Sequence, residues 1–214
     1  MIKHRFTLLV AISACVAALV VPMALTPAAS ASGKAPSVAV TAAAENSSEK
    51  ISIRPVKPII MMVPGPVPVP AAGSQLTRDR DAIFGVLSTK GLNPGWVYTA
   101  WFGIFNNPSE CATRPCSGAD FMNPAVQGSR VNFGGRIIGP DGSAVYGGFL
   151  GVGDTAGAFD GPGLLRPRHA EIHMVVRSHG PALMGAMLTE QLTMFNGGCP
   201  PNMCANVQIS IHEP

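Results

Sequence analysis

Charge is scarce in this chain. Asp, Glu, Lys and Arg make up 13% of its 214 residues, about half the usual share for a soluble domain. No Lys/Arg cluster stands ready to neutralise phosphates, so nucleic-acid recognition is excluded, and the formal charge of +3 carries no message about partners. Catalytic signatures are missing too. There is no G-x-S-x-G nucleophile elbow, no H-E-x-x-H pair and no G-x-x-x-x-G-K-[ST] phosphate loop. The C-x2-C spacing usual for a structural zinc site is absent, and no acidic run has EF-hand spacing. Long helices are disfavoured as well. Gly and Pro number 24 and 20, a level of turn formers that suits short strands and tight turns.

What is present begins with a leader. Lys3, His4 and Arg5 precede an apolar run from Phe6 to Leu25, which Pro22 breaks and Ala29-Ser30-Ala31 closes. A positive start, an apolar core and a small-residue end make a secretory signal over residues 1–31. A membrane anchor is the competing reading. A third makes Cys15, after Ile12-Ser13-Ala14, a lipidated N-terminus, although apolar residues continue beyond it where a lipoprotein turns polar. The expectation is a secreted, extracellular protein with no membrane span after cleavage, facing an unknown extracellular partner. Loss of Lys3 and Arg5 takes 15 basic residues to 13 against 12 acidic ones, leaving the mature chain near neutral.

Four cysteines remain after the leader: Cys111, Cys116, Cys199 and Cys204. An even number in an exported chain reads as two disulfides, for which three pairings exist. The local pairs Cys111–Cys116 and Cys199–Cys204 are favoured, because each closes a Pro-containing loop, CATRPC or CPPNMC. A four-thiolate zinc site is the alternative.

Residues 32–75 read as a Pro-rich, disordered tether, small and polar at first, then RPVKPIIMMVPGPVPVPAAGS. Within it the Ile59–Val63 run is a possible edge strand, and Asn46-Ser47-Ser48 is a glycosylation sequon in a eukaryotic host. The folded domain is expected over 76–214. It opens with a short helix capped by Thr77, with Asp79 and Asp81 in the first turn, Ile83, Phe84 and Leu87 as the buried stripe, and Gly91 past the end. After that the hydrophobic period becomes two. WVYTAWFGIF reads as a central strand. RVNFGGRII and SAVYGGFLGV flank Gly139-Pro140-Asp141-Gly142 as a hairpin. HAEIHMVVRS, EQLTMF and NVQISIH complete the strands, and Leu183–Leu188 reads as a helical turn. The predicted fold is mainly β: an antiparallel, Greek-key-like β-sandwich with one short N-terminal helix.

Two motifs sharpen this. Leu92, Pro94 and Tyr98 have the L-x-P-x-x-x-Y spacing, which resembles the tyrosine corner of fibronectin-like Greek-key sandwiches and implies a tyrosine hydroxyl pinned to backbone upstream. WFGIFNNPSECATRPC and QLTMFNGGCPPNMC echo each other, with Phe105-Asn106 answering Phe195-Asn196, as two strands ending at one rim, each stapled by a small disulfide loop. GLNPGWVYTAWFGIFNNPSEC, GPGLLRPRHAEIHMVVRSHGP and EQLTMFNGGC together resemble a group of uncharacterised secreted bacterial proteins, over roughly residues 85–205. The resemblance implies an exported sandwich-like domain and transfers no catalytic residue. A shorter likeness, Ala170–His173, is to chordin-type secreted domains.

Chemistry concentrates in His169–His179, HAEIHMVVRSH, which holds three of the five histidines. As one strand it puts Ala170, Ile172, Met174, Val176 and Ser178 on one face and His169, Glu171, His173, Val175, Arg177 and His179 on the other. NVQISIH alternates with Val207, Ile209 and Ile211 inward, so that His212 joins the polar row if the strands pair. The plainest reading is a solvated polar face. A second is a Zn²⁺ or Cu²⁺ site built from His169, Glu171 and His173, with His179 or His212 as outside ligands. A third makes His173 a general base oriented by Glu171 or Arg177. Asp154 and Asp160 offer oxygens to a hard cation. The methionines read as core filler. The functional expectation is an extracellular binding or structural role, with a small metal-binding protein or enzyme as the alternative.

Overall fold

The computed structural model describes residues 49–214. The leader, Cys15 and the Asn46 sequon lie outside the described residues. The fold is a sandwich of two antiparallel sheets. β1 (Lys50–Pro55), β4 (Gly73–Arg78), β5 (Ala82–Thr89) and β8 (Ala144–Gly151) form one sheet in the order β1-β4-β5-β8. The other holds β2 (Lys57–Ile60), β3 (Val63–Pro64), β6 (Trp96–Phe105), β7 (Gly128–Ile137), β9 (Ala158–Asp160), β10 (Glu171–Pro181) and β11 (Ala205–His212), ordered β3-β2-β11-β10-β6-β7-β9. The connectivity is Greek-key-like. β6 and β7 pair in the larger sheet, while β5 before them and β8 after them pair in the smaller.

The sandwich starts near Lys50, so residues read as tether are built into it. β1 is an edge strand that pairs with β4 and ends at Pro55. β2 pairs with β11 through Pro58 opposite Gln208. Edge and terminal positions tolerate proline because no ladder N–H is demanded there. Between these strands Val56 is buried in the core.

The predicted N-terminal helix is a hairpin instead. β4 and β5 turn over Asp79–Ala82, closed by the Asp79 N–H to Ala82 O bond of 2.9 Å. Asp79 Oδ1 accepts the Arg80 N–H at 2.7 Å. Aspartates serve turns as readily as helix caps, and Ile83 and Leu87 fit either period. The β-branched Ile83, Val86 and Thr89 favour strand. Ile83 and Leu87 are buried as expected, but Phe84 points to the outer face. The one α-helix among the described residues lies later, α1 (Ala186–Thr193). It takes in most of EQLTMF, read as a strand, whose Leu, Glu and Gln are good helix formers. Gln191 fastens it, donating from Nε2 to the His179 and Pro181 carbonyls at 3.0 Å each and accepting the Leu183 N–H at 2.8 Å.

The Gly139–Gly142 turn forms, with Gly142 N–H to Gly139 O at 3.1 Å, but it joins two sheets. β7 pairs with β6 and β9, and β8 with β5. Gly142 O accepts the Leu92 N–H at 3.0 Å, tying this crossing to the neighbouring one from β5 to β6. The tyrosine corner is present there: Tyr98 Oη accepts the Asn93 N–H at 3.2 Å.

Leu76, Leu87, Tyr146 and Leu150 of the small sheet meet Phe102, Ile172, Met174 and Val176 of the large one to form the core. β11 enters it with the opposite face to that predicted. Its register sets His212 beside Ile172, Ser210 beside Met174 and Gln208 beside Val176, so the polar residues point inward. Two of them find partners. Gln208 Nε2 donates to Lys90 O at 2.9 Å. His212 lies between Ser52 Oγ at 2.7 Å and Ser74 Oγ at 2.9 Å. Arg78, fully buried, donates to the carbonyls of Pro167, Ala170 and His212 and closes that end of the sandwich.

Candidate functional site

Two loops fold back over the outer face of the seven-stranded sheet, one towards each end of β10. The first, residues 106–127, leaves β6 and carries the Cys111–Cys116 disulfide. The second, residues 194–204, follows α1 and carries Cys199–Cys204. Both favoured pairings are therefore present. The echo between the two segments is partial, since Phe105 ends a strand while Phe195 follows a helix.

Each loop is anchored by a charged residue of β10. Glu171 Oε1 accepts the Cys116 N–H at 2.7 Å and meets His173 Nε2 at 2.7 Å. The His173 ring packs 4.8 Å from that of Phe105. At the other end Arg177 donates to Phe195 O at 2.6 Å, Asn206 Oδ1 at 2.8 Å and Asn196 Oδ1 at 3.0 Å. Its guanidinium lies 4.0 Å from the Phe195 ring centroid. None of these partners is an anion. Burial first, then the positive field of Arg130, lowers the Arg177 pKa from 12.5 to about 10.

The solvated polar face expected for 169–179 is thus covered. Glu171 and His173 are 1% and 5% exposed and His179 is fully buried. His169 precedes the strand in a turn, its N–H bonded to Arg166 O at 3.0 Å, and is exposed. His212 belongs to the inter-sheet face, and Ser52 and Ser74 occupy both its nitrogens. His179 sits under the second loop. The histidine row therefore divides into separate environments. Among the described residues, the one set of three His, Cys, Asp or Glu ligand atoms within 4.8 Å of one another is His179, Cys199 and Cys204. His169, Glu171 and His173 form no such set. As for a catalytic reading, the His173–Glu171 pair is closed over by the first loop and tethers it. Asp160 is committed to Arg130, and Asp154 Oδ1 accepts the Ala156 N–H at 2.9 Å. Of the methionines, Met174 is core, whereas Met61, Met62, Met184 and Met203 are exposed.

What the outer face leaves open is a cleft between β9 and the end of α1. It has a volume of about 520 Å³ and is lined by Trp101, Phe159, Glu190, Thr193, Phe195 and Asn196, among others. Phe159 and Phe195 stack at 4.7 Å and 26°, and Trp101 meets Phe195 edge-on at 5.1 Å and 82°. Arg130 stands behind this wall, 4.7 Å from the Phe159 centroid and 5.0 Å from that of Phe195. Asp160 neutralises it through both carboxylate oxygens. Sequence reasoning passed over the cleft. Its one signal was Phe159, a large aromatic inside the Gly-rich stretch GGFLGVGDTAGAFDGPG.

No described helix is long and apolar enough to cross a membrane. Comparison with protein-family models, with curated proteins and with solved structures finds no match to this chain.

Proposed function

We propose that the protein is an exported binding module that seats a neutral carbohydrate ring in the cleft of its seven-stranded sheet. The observation that supports this most is the Phe159–Phe195 wall. Phe159 is 45% exposed, in a concave site where a large apolar side chain gains only by covering something. The exposed Phe159 ring, backed by Phe195, offers a π surface to the apolar face of a sugar. Thr193, Asn196 and Glu190 on the same lining offer donors and acceptors to its hydroxyls. Arg130 is already balanced by Asp160, and no cationic side chain is among the residues that line the cleft. Its lining holds a single titratable side chain, Glu190, which suits recognition better than acid–base chemistry, where two groups with separated roles are the rule.

The test uses the cleft's own reporter. The chain has two tryptophans, so Trp96→Phe leaves Trp101 alone. Neutral oligosaccharides are titrated against that variant, and the same panel is followed by NMR on the unmodified protein. Saturable quenching by at least one sugar, lost in Phe159→Ala, is the expected result. If no sugar binds, or if binding survives Phe159→Ala unchanged, the carbohydrate reading is wrong.

A further inference from the structure

The second loop holds a cluster with different chemistry from the cleft. His179 Nδ1 stands 3.4 Å from Cys204 Sγ, and Cys199 Sγ completes the set within 4.8 Å. The imidazole is held at both nitrogens. Trp101 Nε1 donates to Thr99 Oγ1 at 2.7 Å, Thr99 Oγ1 meets His179 Nε2 at 2.7 Å, and Nδ1 lies 2.9 Å from Gly197 O. The direction of this chain follows from its ends, because an indole N–H only donates and a carbonyl only accepts. The Thr99 hydroxyl therefore donates to Nε2, and Nδ1 carries the ring proton while the disulfide is intact.

We propose that reduction of Cys199–Cys204 turns this corner into a site for a thiophilic d¹⁰ cation, Zn²⁺ or Cu⁺, held by Cys199 Sγ, Cys204 Sγ and His179 Nδ1. A thiol reductant supplies two electrons and two protons, the S–S bond breaks, and two thiols form. The cation displaces both thiol protons to solvent. The ring proton passes from Nδ1 to Nε2, so the imidazole stays neutral. Nε2–H then donates to Thr99 Oγ1, whose two lone pairs serve both His179 and Trp101.

The geometry suits this. Tetrahedral zinc with ordinary Zn–S and Zn–N bonds sets S and N about 3.6 Å apart, and the Nδ1–Cys204 separation is already 3.4 Å. The sulfurs must part to about 3.8 Å, in a loop whose Pro200, Pro201 and Met203 are exposed. Gly197 O, which accepts the Nδ1 proton at 2.9 Å, draws back as the cation takes that proton's place. A ligating histidine ordinarily has its second nitrogen fixed by a hydrogen bond, and Thr99 provides that bond. No other three His, Cys, Asp or Glu atoms among the described residues meet this spacing, so the Cys111–Cys116 loop is an internal control.

The experiment takes the full chain, stripped with chelator, reduced with a phosphine and held anaerobically. Co²⁺ is the optical probe for the zinc arm, and competition with a chromophoric Cu⁺ chelator is the copper arm. The expected result is one equivalent bound by the reduced protein, with thiolate-to-cobalt charge-transfer absorption that Zn²⁺ displaces, or one equivalent of Cu⁺ withdrawn from its chelator. The oxidised protein shows neither. Cys199→Ser with Cys204→Ser abolishes binding, and Cys111→Ser with Cys116→Ser leaves it intact. Thr99→Val weakens affinity about 10–100-fold, and Thr99→Ser restores it. The proposal is overturned if reduced protein that keeps its circular dichroism, with all five cysteines of the chain free, binds neither ion. It is equally overturned if binding follows the Cys111–Cys116 pair or is untouched by His179→Gln.

Discussion

Acid should unfold this protein from the inside, beginning well above the usual carboxylate range. The group responsible is His212, fully buried between the sheets with Ser52 and Ser74 on its two nitrogens. Burial first, then the positive fields of Arg78 and Arg54, pushes its pKa from 6.5 down to about 3. The unfolded chain therefore binds a proton on this histidine throughout the window between those values, and the folded chain does not. Stability is complete above about pH 6.5 and falls as pH drops. At ~1.4 kcal/mol per unit, the whole window is worth ~5 kcal/mol, of which ~2 kcal/mol is gone by about pH 5. His179, shifted in the same direction, adds to the loss. Carboxylates enter later. Burial opposes it, but N–H bonds from Ala112 and Ser117 hold Asp120 below 3.8, so its share of stability is lost only at more acidic pH. Urea unfolding at about pH 7.5 and about pH 5, followed by tryptophan fluorescence with the disulfides intact, measures the difference. His212→Gln keeps polar atoms for both serines and removes the titration, so it should lower stability at the higher pH while flattening the slope by ~2 kcal/mol. If the variant keeps the slope of the unmodified protein, His212 is not the group that senses acid and the reasoning fails.

Other perturbations reach the anchors of the two loops. Glu171→Ala removes the partner of His173 and the acceptor of the Cys116 N–H. Leaving these buried groups without their hydrogen-bond partner costs ~1–3 kcal/mol each, seen as a lower urea midpoint, with new amide exchange in 106–127 before global unfolding. Tyr98→Phe deletes the hydroxyl that receives the Asn93 N–H and should cost ~1 kcal/mol in the same assay. Gly135→Ala places a Cβ against the Leu192 backbone, so α1 must lift off β7. A midpoint lowered by ~1–3 kcal/mol, with amide shifts confined to α1 and its neighbours, is expected, and an unshifted α1 would contradict the packing.

The fold could be read from the sequence wherever one period was unambiguous. Trp96–Phe105 is apolar on both faces because both are covered, and β7, β8 and β10 fall where their periods place them. The failures share a physical cause. A local signal fixes a local shape, not its partner. Gly139–Gly142 is a genuine turn, but whether a turn returns a chain along its own sheet or carries it to the facing one depends on strands far away in sequence. Asp79 and Asp81 mark a reversal as well as they mark a helix start. The prolines of 55–70 suit an extended chain, and an extended chain at a sheet edge is a strand as soon as a neighbour supplies the other half of the ladder.

The site shows the same limit more sharply. Alternation divided β10 correctly into two sets, with Ile172, Met174 and Val176 on one face and Glu171, His173 and Arg177 on the other. It could not say that the second face is also interior. A polar row on a strand means water only if nothing else covers it, and here two disulfide loops do. Each polar side chain of the row then takes on a different task, because a buried charge or imidazole must find partners where it stands. Glu171 and Arg177 found backbone N–H and carbonyl groups of the incoming loops, which makes them anchors. His179 found Thr99 on one side and the Cys199–Cys204 loop on the other. In the inward row of β11, His212 and Gln208 obey the same rule and are bonded across the sheets, whereas Ser210 Oγ is buried without a partner. Polar residues at alternate positions therefore reveal where loops or a second sheet must supply partners, and in this chain the most reactive of those partners are the two sulfurs beside His179.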